Sequence, residues 1–153
     1  MPTPDLDFRP NVGRSIQLFG EVSEELVNRL APDILRMRSD GTNDPITVLI
    51  NSRGGTAHCI DYLHGLLTAK GVFDRSPRII TVAVGDAKSA AATMLALGDY
   101  AAAYPKSSIH FHGLRYGRLE DVTMETAEWI ATDLQNRNRA TAATLASAGT
   151  ERL

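Results

Sequence analysis

A single cysteine, Cys59, among 153 residues leaves no material for a disulfide framework or a multi-thiolate metal site. A lone thiol suits a reducing compartment. Met1–Arg14 lacks the apolar core of a secretory leader and carries Asp5, Asp7, Pro2, Pro4 and Pro10 instead. No apolar run approaches the ~18–20 residues of a membrane helix. The expectation is a cytoplasmic chain without a membrane span. Neither sign of charge dominates: 16 basic residues against 18 acidic ones give −2, with no basic stripe to follow a nucleic acid backbone. No Gly-Lys-Ser/Thr triplet occurs, so the chain has no phosphate loop of its own. Nothing in the pattern calls for a cofactor or a metal. At 43% hydrophobic residues, wholesale disorder is excluded and one domain with one core is expected.

What is present alternates between two periods. Residues 1–13 read as a flexible arm. Ser15–Phe19 alternates as a short strand closed by Gly20. Ser23 is a good N-cap for a helix whose Leu26, Leu30, Ile34 and Met37 recur at helical spacing, with Pro32 expected to kink or split it. Ser39–Pro45 is a turn cluster. Ile46–Ile50 and Ile79–Val84 are nearly continuous β-branched runs, the signature of strands buried on both faces of a parallel sheet. The first leads through Asn51–Gly55 into a helix over Thr56–Lys70, ended by Gly71. The second leads through Gly85–Ser89 into an Ala-rich helix that Gly98 closes. Tyr100–Tyr104 and Ser108–Phe111 read as strands, Gly113–Gly117 as a loop or ribbon, and Leu119–Ala148 as a long helix. This alternation predicts an α/β fold, with helices on a largely parallel sheet.

Three segments carry possible chemistry. Gly54 and Gly55 follow a buried strand and precede a helix, where freed backbone N–H groups suit an oxyanion; taken alone, the segment reads first as a tight strand-to-helix turn. Ser89 ends a strand and begins a helix of small residues. Its hydroxyl would be exposed at the sheet edge with the N–H of Ala90 beside it, although Ser is also a common N-cap. His110 and His112 lie two apart on one strand face, but no nearby Cys, Asp or Glu completes a metal set. His58 and His64, six apart on a helix, share no face and read as packing or surface histidines.

ITVLINSRGG (Ile46–Gly55), VGDAKSAAA (Val84–Ala92) and YPKSSIHFHG (Tyr104–Gly113) resemble, in order, three segments of the Clp protease proteolytic subunit family. They match its oxyanion strand, its nucleophile turn and its histidine strand. RSIQLFGEVSEEL (Arg14–Leu26) resembles that family's first strand and helix, so the likeness spans roughly Arg14–Thr150. The family's histidine stands seven residues after a proline, which from Pro105 selects His112 over His110. The resemblance implies a Clp/crotonase-type fold with a head and a projecting handle, here 113–148, within a peptidase domain over 14–153. It implies a serine endopeptidase with Ser89 as nucleophile, His112 as base, and an oxyanion hole from Gly55 and Ala90 with Gly54. The two catalytic side chains would stand within or somewhat beyond hydrogen-bond reach. Further implied are unfolded polypeptide substrates, a homo-oligomeric ring (a heptamer, single or stacked in pairs) and an AAA+ unfoldase partner.

Three departures qualify the match. The family's third catalytic residue is an Asp roughly fifty positions after the histidine, and the sequence continues for 41. Asp121 and Asp133 fall on the handle side and are not assigned that role. We read the sequence as a piece missing the C-terminal part of the domain. A short relative working as a dyad, or a non-catalytic ring subunit, are the alternatives, and an acyl-CoA enzyme of the crotonase type ranks last. Arg53 stands where the family usually has Pro, and Lys88 neighbours the nucleophile, though a Ser–Lys pair is not expected.

Overall fold

Apolar side chains on both faces make a strand central, and Ile46–Ile50 does so here. The computed structural model describes residues 10–70, 76–116 and 122–150, with side chains to 146. Its sheet runs β1 (Ser15–Val22), β2 (Ile46–Gly55), β3 (Ile79–Lys88), β4 (Tyr100–Ala103), with β5 (Ser108–His110) also on β3. Every pairing is parallel. Parallel strands need crossovers, and the helices supply them: α1 (Glu24–Ser39), α2 (Ala57–Thr68), α3 (Ala90–Leu97), with α4 (Met124–Thr150) following β5. The expected α/β architecture holds.

Core and capping follow the sequence closely in the first half. Ser23 Oγ accepts from Leu26 N, capping α1, while Glu24 and Glu25 sit where the helix dipole favours them. Leu26, Leu30, Ile34 and Met37 join Leu18, Ile50, Leu63 and Met94 in one buried cluster. Each fully buried aliphatic side chain contributes about 1.5–3 kcal/mol. Pro32 does not split α1 as expected. It lies on the exposed face, where the Asn28 carbonyl that loses its donor meets water.

The N-terminal boundary also differs from the sequence reading. Residues 12–14 form a 3-10 turn capped by Asn11, so the arm expected over 1–13 is ordered by Val12; residues 1–9 lie outside the described residues. Arg14 is buried there. Its guanidinium pairs with Asp40 and donates to the carbonyls of Met37 (3.1 Å) and Asp44 (2.9 Å), pinning the start of β1 to the end of α1. Asp40's carboxyl is held below the usual range, chiefly by the backbone N–H of Thr42.

Three segments expected to end strands are themselves strand. Gly20 belongs to β1, with a register irregularity between Phe19 and Glu21. Asn51–Gly55 continues β2, pairing Glu21 with Gly54 and Val22 with Gly55. Gly85–Lys88 likewise continues β3. Between Ile50↔Ala83 and Ser52↔Ala87, β3 uses two more residues than β2. Asn51 stitches this bulge, its Oδ1 accepting from Asp86 N at 3.0 Å in space that a Cβ on Gly85 would fill. At the same bulge β3 changes partner, leaving β4 after Ala83 and taking β5 from Asp86 to Lys88. Two helix limits also differ: α2 ends at Thr68, short of the expected Lys70, and α4 begins at Met124, after non-helical Val122 and Thr123, not at Leu119; Gly71, Gly117, Leu119 and Asp121 themselves lie outside the described residues.

Candidate active site

In a parallel sheet the carboxyl ends of the strands share one edge, and ligand sites form there. Here that edge gathers the ends of β2, β3 and β5. Ser89, Ala90, Gly55 and His112 all line one open groove of about 840 Å³. Gly54 backs Ser89 from beneath.

Ser89 leaves β3 with φ 54° and ψ −126°, a backbone conformation that side chains other than glycine rarely adopt. Its main chain is held on both sides. Ser89 N donates to His110 O at 2.8 Å, and Ser89 O accepts from Ala92 N (3.0 Å) and Thr93 N (3.2 Å). The side chain makes no capping bond, so the N-cap account of this serine does not apply. Ser89 lines the groove and is half-buried.

The glycines are explained by clearance. At φ +98° Gly54 passes so close to the nucleophile turn that a Cβ would stand 2.6 Å from Ser89 Cβ and 2.7 Å from Lys88 O. A Cβ on Gly55 would drive into the main chain of Val22. Donors sort by direction. Gly54 N–H is donated to Ser52 Oγ at 3.0 Å, so clearance rather than donation is its part here. Thr56 N–H turns to Val22 O on β1, at 2.8 Å. Gly55 lines the same groove as Ser89. Ala90 N–H, first in α3, has no partner within its own helix. The expected tight turn at Gly54-Gly55 is therefore a strand edge.

His112 stands just beyond β5, exposed, with its ring edge-on to His110 at 6.0 Å between centroids. Its Nδ1 lies 2.6 Å from Gly113 O. A carbonyl only accepts, so Nδ1 is the donor, and in the neutral ring Nε2 is then the acceptor. No hydrogen bond joins His112 to Ser89 Oγ, and among the described residues no carboxylate bonds His112. Asp133 is engaged elsewhere, accepting from Tyr116 OH at 2.6 Å and pairing with Arg137 at 2.9 Å; the Tyr116 bond holds its carboxyl low. Lys88 is also occupied, its Nζ 2.8 Å from Asp86, which Arg53 meets more loosely at 3.5 Å. Burial lowers the pKa of His64, and His58 sits 3.4 Å from Glu24. Among the described residues no three His, Cys, Asp or Glu side chains form a metal cluster, and no helix is long and apolar enough to cross a membrane.

Sequence reasoning did not single out Gly113, Leu114 or Asn138. Leu114 N donates to Asn138 Oδ1 at 2.8 Å, fastening the segment after His112 to α4. The one available signal was an Asn on the groove-facing side of a helix, which is too common to select.

Comparison with known proteins gives the following. The family model described as Clp protease matches residues 10–149. The chain is 29% identical over 130 residues to the ATP-dependent Clp protease proteolytic subunit 3 of Synechococcus sp. (strain CC9605), covering 81% of this chain and 62% of the relative. It is 30% identical, with the same coverage, to the ATP-dependent Clp protease proteolytic subunit 2 of Prochlorococcus marinus (strain MIT 9312). The chain thus spans 62% of the length of these curated relatives. A ClpP1 point mutant from Listeria monocytogenes shares the fold, with a TM-score of 0.73 and 22% identity over 89% of this chain and 72% of that one.

Proposed function

The chain belongs to the Clp protease family, and from that we propose that it is the proteolytic subunit of an ATP-dependent protease, hydrolysing peptide bonds of unfolded polypeptides through an acyl-enzyme. Ser89 Oγ attacks the scissile carbonyl carbon while His112 Nε2 takes the hydroxyl proton. The carbonyl oxygen becomes an oxyanion facing the N–H groups of Gly55 and Ala90. His112 returns the proton to the leaving amine, and water then repeats the sequence on the ester. Removing one such donor typically costs about 10²–10³-fold in rate.

The observation that carries this reading is the conformation of Ser89. A serine at positive φ, with no cap bond, beside a glycine strand edge and facing the same groove as an imidazole, has no structural duty that explains it. Strain of this kind clusters where function requires it. The hydroxyl and imidazole meet when substrate binds, since catalytic hydrogen bonds are commonly loose in unliganded sites.

The assembly belongs to the same proposal: a cytoplasmic ring of copies of this chain, seven to a ring and single or paired, fed by an AAA+ unfoldase, with 113–148 as the handle. Large apolar side chains left bare on the β4–β5–α4 side support it. Trp129 is 61% exposed and Met124 81%, a surface that suits burial against neighbours. A second reading, a non-catalytic ring subunit, draws on the absence of a hydrogen bond between Ser89 and His112. A fluorophosphonate probe on the assembled protein separates the two. We expect covalent label on Ser89, and peptide hydrolysis that falls about 10⁶-fold in Ser89→Ala. An unlabelled Ser89 in an intact ring sinks the peptidase reading.

A further inference from the structure

We infer that Asn138 is a positioning residue for His112, acting through the single peptide unit that joins Gly113 to Leu114. The inference rests on Ser89 and His112 being nucleophile and base, and it concerns what holds the base in its working tautomer.

Both ends of that peptide unit are engaged. Its carbonyl, Gly113 O, takes the Nδ1 proton of His112 at 2.6 Å. Its N–H, on Leu114, is donated to Asn138 Oδ1 at 2.8 Å. A peptide unit is planar, and in the trans form its C=O and N–H point in opposite directions. Fixing the N–H therefore fixes the direction of the carbonyl. Asn138 aims the acceptor that aims the imidazole, and Nε2 is left unprotonated toward the groove.

Among the described residues no other hydrogen bond performs this task. Residues 111–116 belong to no helix or strand, so no ladder orients Gly113. The fit around it is close: a Cβ on Gly113 would stand 3.3 Å from Asn138 Oδ1 and 3.4 Å from its Nδ2. The same segment is tied to α4 a second time, by Tyr116 OH on Asp133. A peptide whose N–H is already bonded also presents a more strongly polarised carbonyl. Within the described residues the Gly113 carbonyl thus does for His112 what a carboxylate does in a three-residue site: it selects the tautomer and steadies the ring.

The test combines kinetics with a spectroscopic readout on the assembled protein. Asn138→Ala, which removes the acceptor, should lower kcat about 10–100-fold, the usual range for groups that orient a working histidine, with KM changed less than about twofold. Asn138→Asp keeps an acceptor oxygen for Leu114 N–H and should recover most of the loss. Nitrogen-15 NMR of the His112 ring, assigned by its disappearance in His112→Gln, should show the Nδ1-protonated tautomer in the wild type and a shift toward the Nε2-protonated one in Asn138→Ala. Wild-type kcat in Asn138→Ala, or a wild-type ring protonated on Nε2, overturns the inference. Should Asn138→Ala fail to assemble, the wild-type tautomer and the activity of Asn138→Asp still decide it. A wild type that neither labels at Ser89 nor cleaves peptide defeats the peptidase reading alone, because the tautomer remains measurable.

Discussion

Ser89 and His112 line one groove but are held by unlike halves of the molecule. Ser89 ends β3, whose Ile79, Val82, Ala83 and Ala87 are buried, and it begins α3, whose Ala90–Ala92 and Met94 are buried too. His112 follows a three-residue strand with every residue exposed, and its segment is fastened to α4 by side-chain hydrogen bonds. One half is held by hydrophobic burial, which is non-directional and collective. The other is held by a few polar ties, each contributing about 0.5–1.5 kcal/mol net. The nucleophile is therefore built into the core, while the base depends on contacts that a change of neighbours can alter.

That contrast can be broken most sharply at Gly54, where the rigid half admits no give. Gly54→Ala places a methyl against Ser89 and Lys88 O at a backbone angle that alanine resists. Activity on a fluorogenic peptide should drop about 10²–10³-fold, as when an oxyanion donor is lost, while circular dichroism still reports a folded chain. Retention of full activity would show that the strand edge does not bear on the nucleophile. A paired stability measurement comes next. Ile50→Ala in the core should cost about 2–5 kcal/mol in urea unfolding, whereas Phe111→Ala beside the base, 49% exposed, should cost less than about 1 kcal/mol in the isolated subunit. Equal costs would erase the distinction between halves. The smallest effect concerns Lys88. Its ammonium is committed to Asp86, whose carboxyl is held low chiefly by that hydrogen bond. Lys88→Met should leave kcat within about threefold, and a loss above tenfold would point to a Ser–Lys mechanism instead.

The first half of the fold was legible because its signals are local. Ser23 as a cap, the 3.6-residue recurrence of Leu26 to Met37 and the β-branched runs at Ile46 and Ile79 each act within a few residues. Gly55, Ser89 and His112, which the sequence motifs single out, all line one groove. What was missed depends on partners distant in sequence. Asn51–Gly55 and Gly85–Lys88 have the composition of turns, yet ladder bonds to β1, β2 and β5 keep them extended, because pairing overrides weak local preference. Pro32 reads as a helix breaker only where no solvent serves the orphaned carbonyl. The Asn138 tie was unreadable, since its partners stand 24 positions apart in the chain.

The twisted backbone at position 89 carries a further implication for how this protein trades durability against reactivity. Holding a side-chain-bearing residue at φ 54° costs on the order of 1–3 kcal/mol, whereas glycine would occupy the same angles without penalty. Alanine at 89 would silence the hydroxyl and keep the distortion. Glycine would silence it and let the distortion go, giving an inert subunit that outlasts the native one on heating. The difference in melting between those two dead variants measures what the fold sacrifices to keep one hydroxyl facing outward.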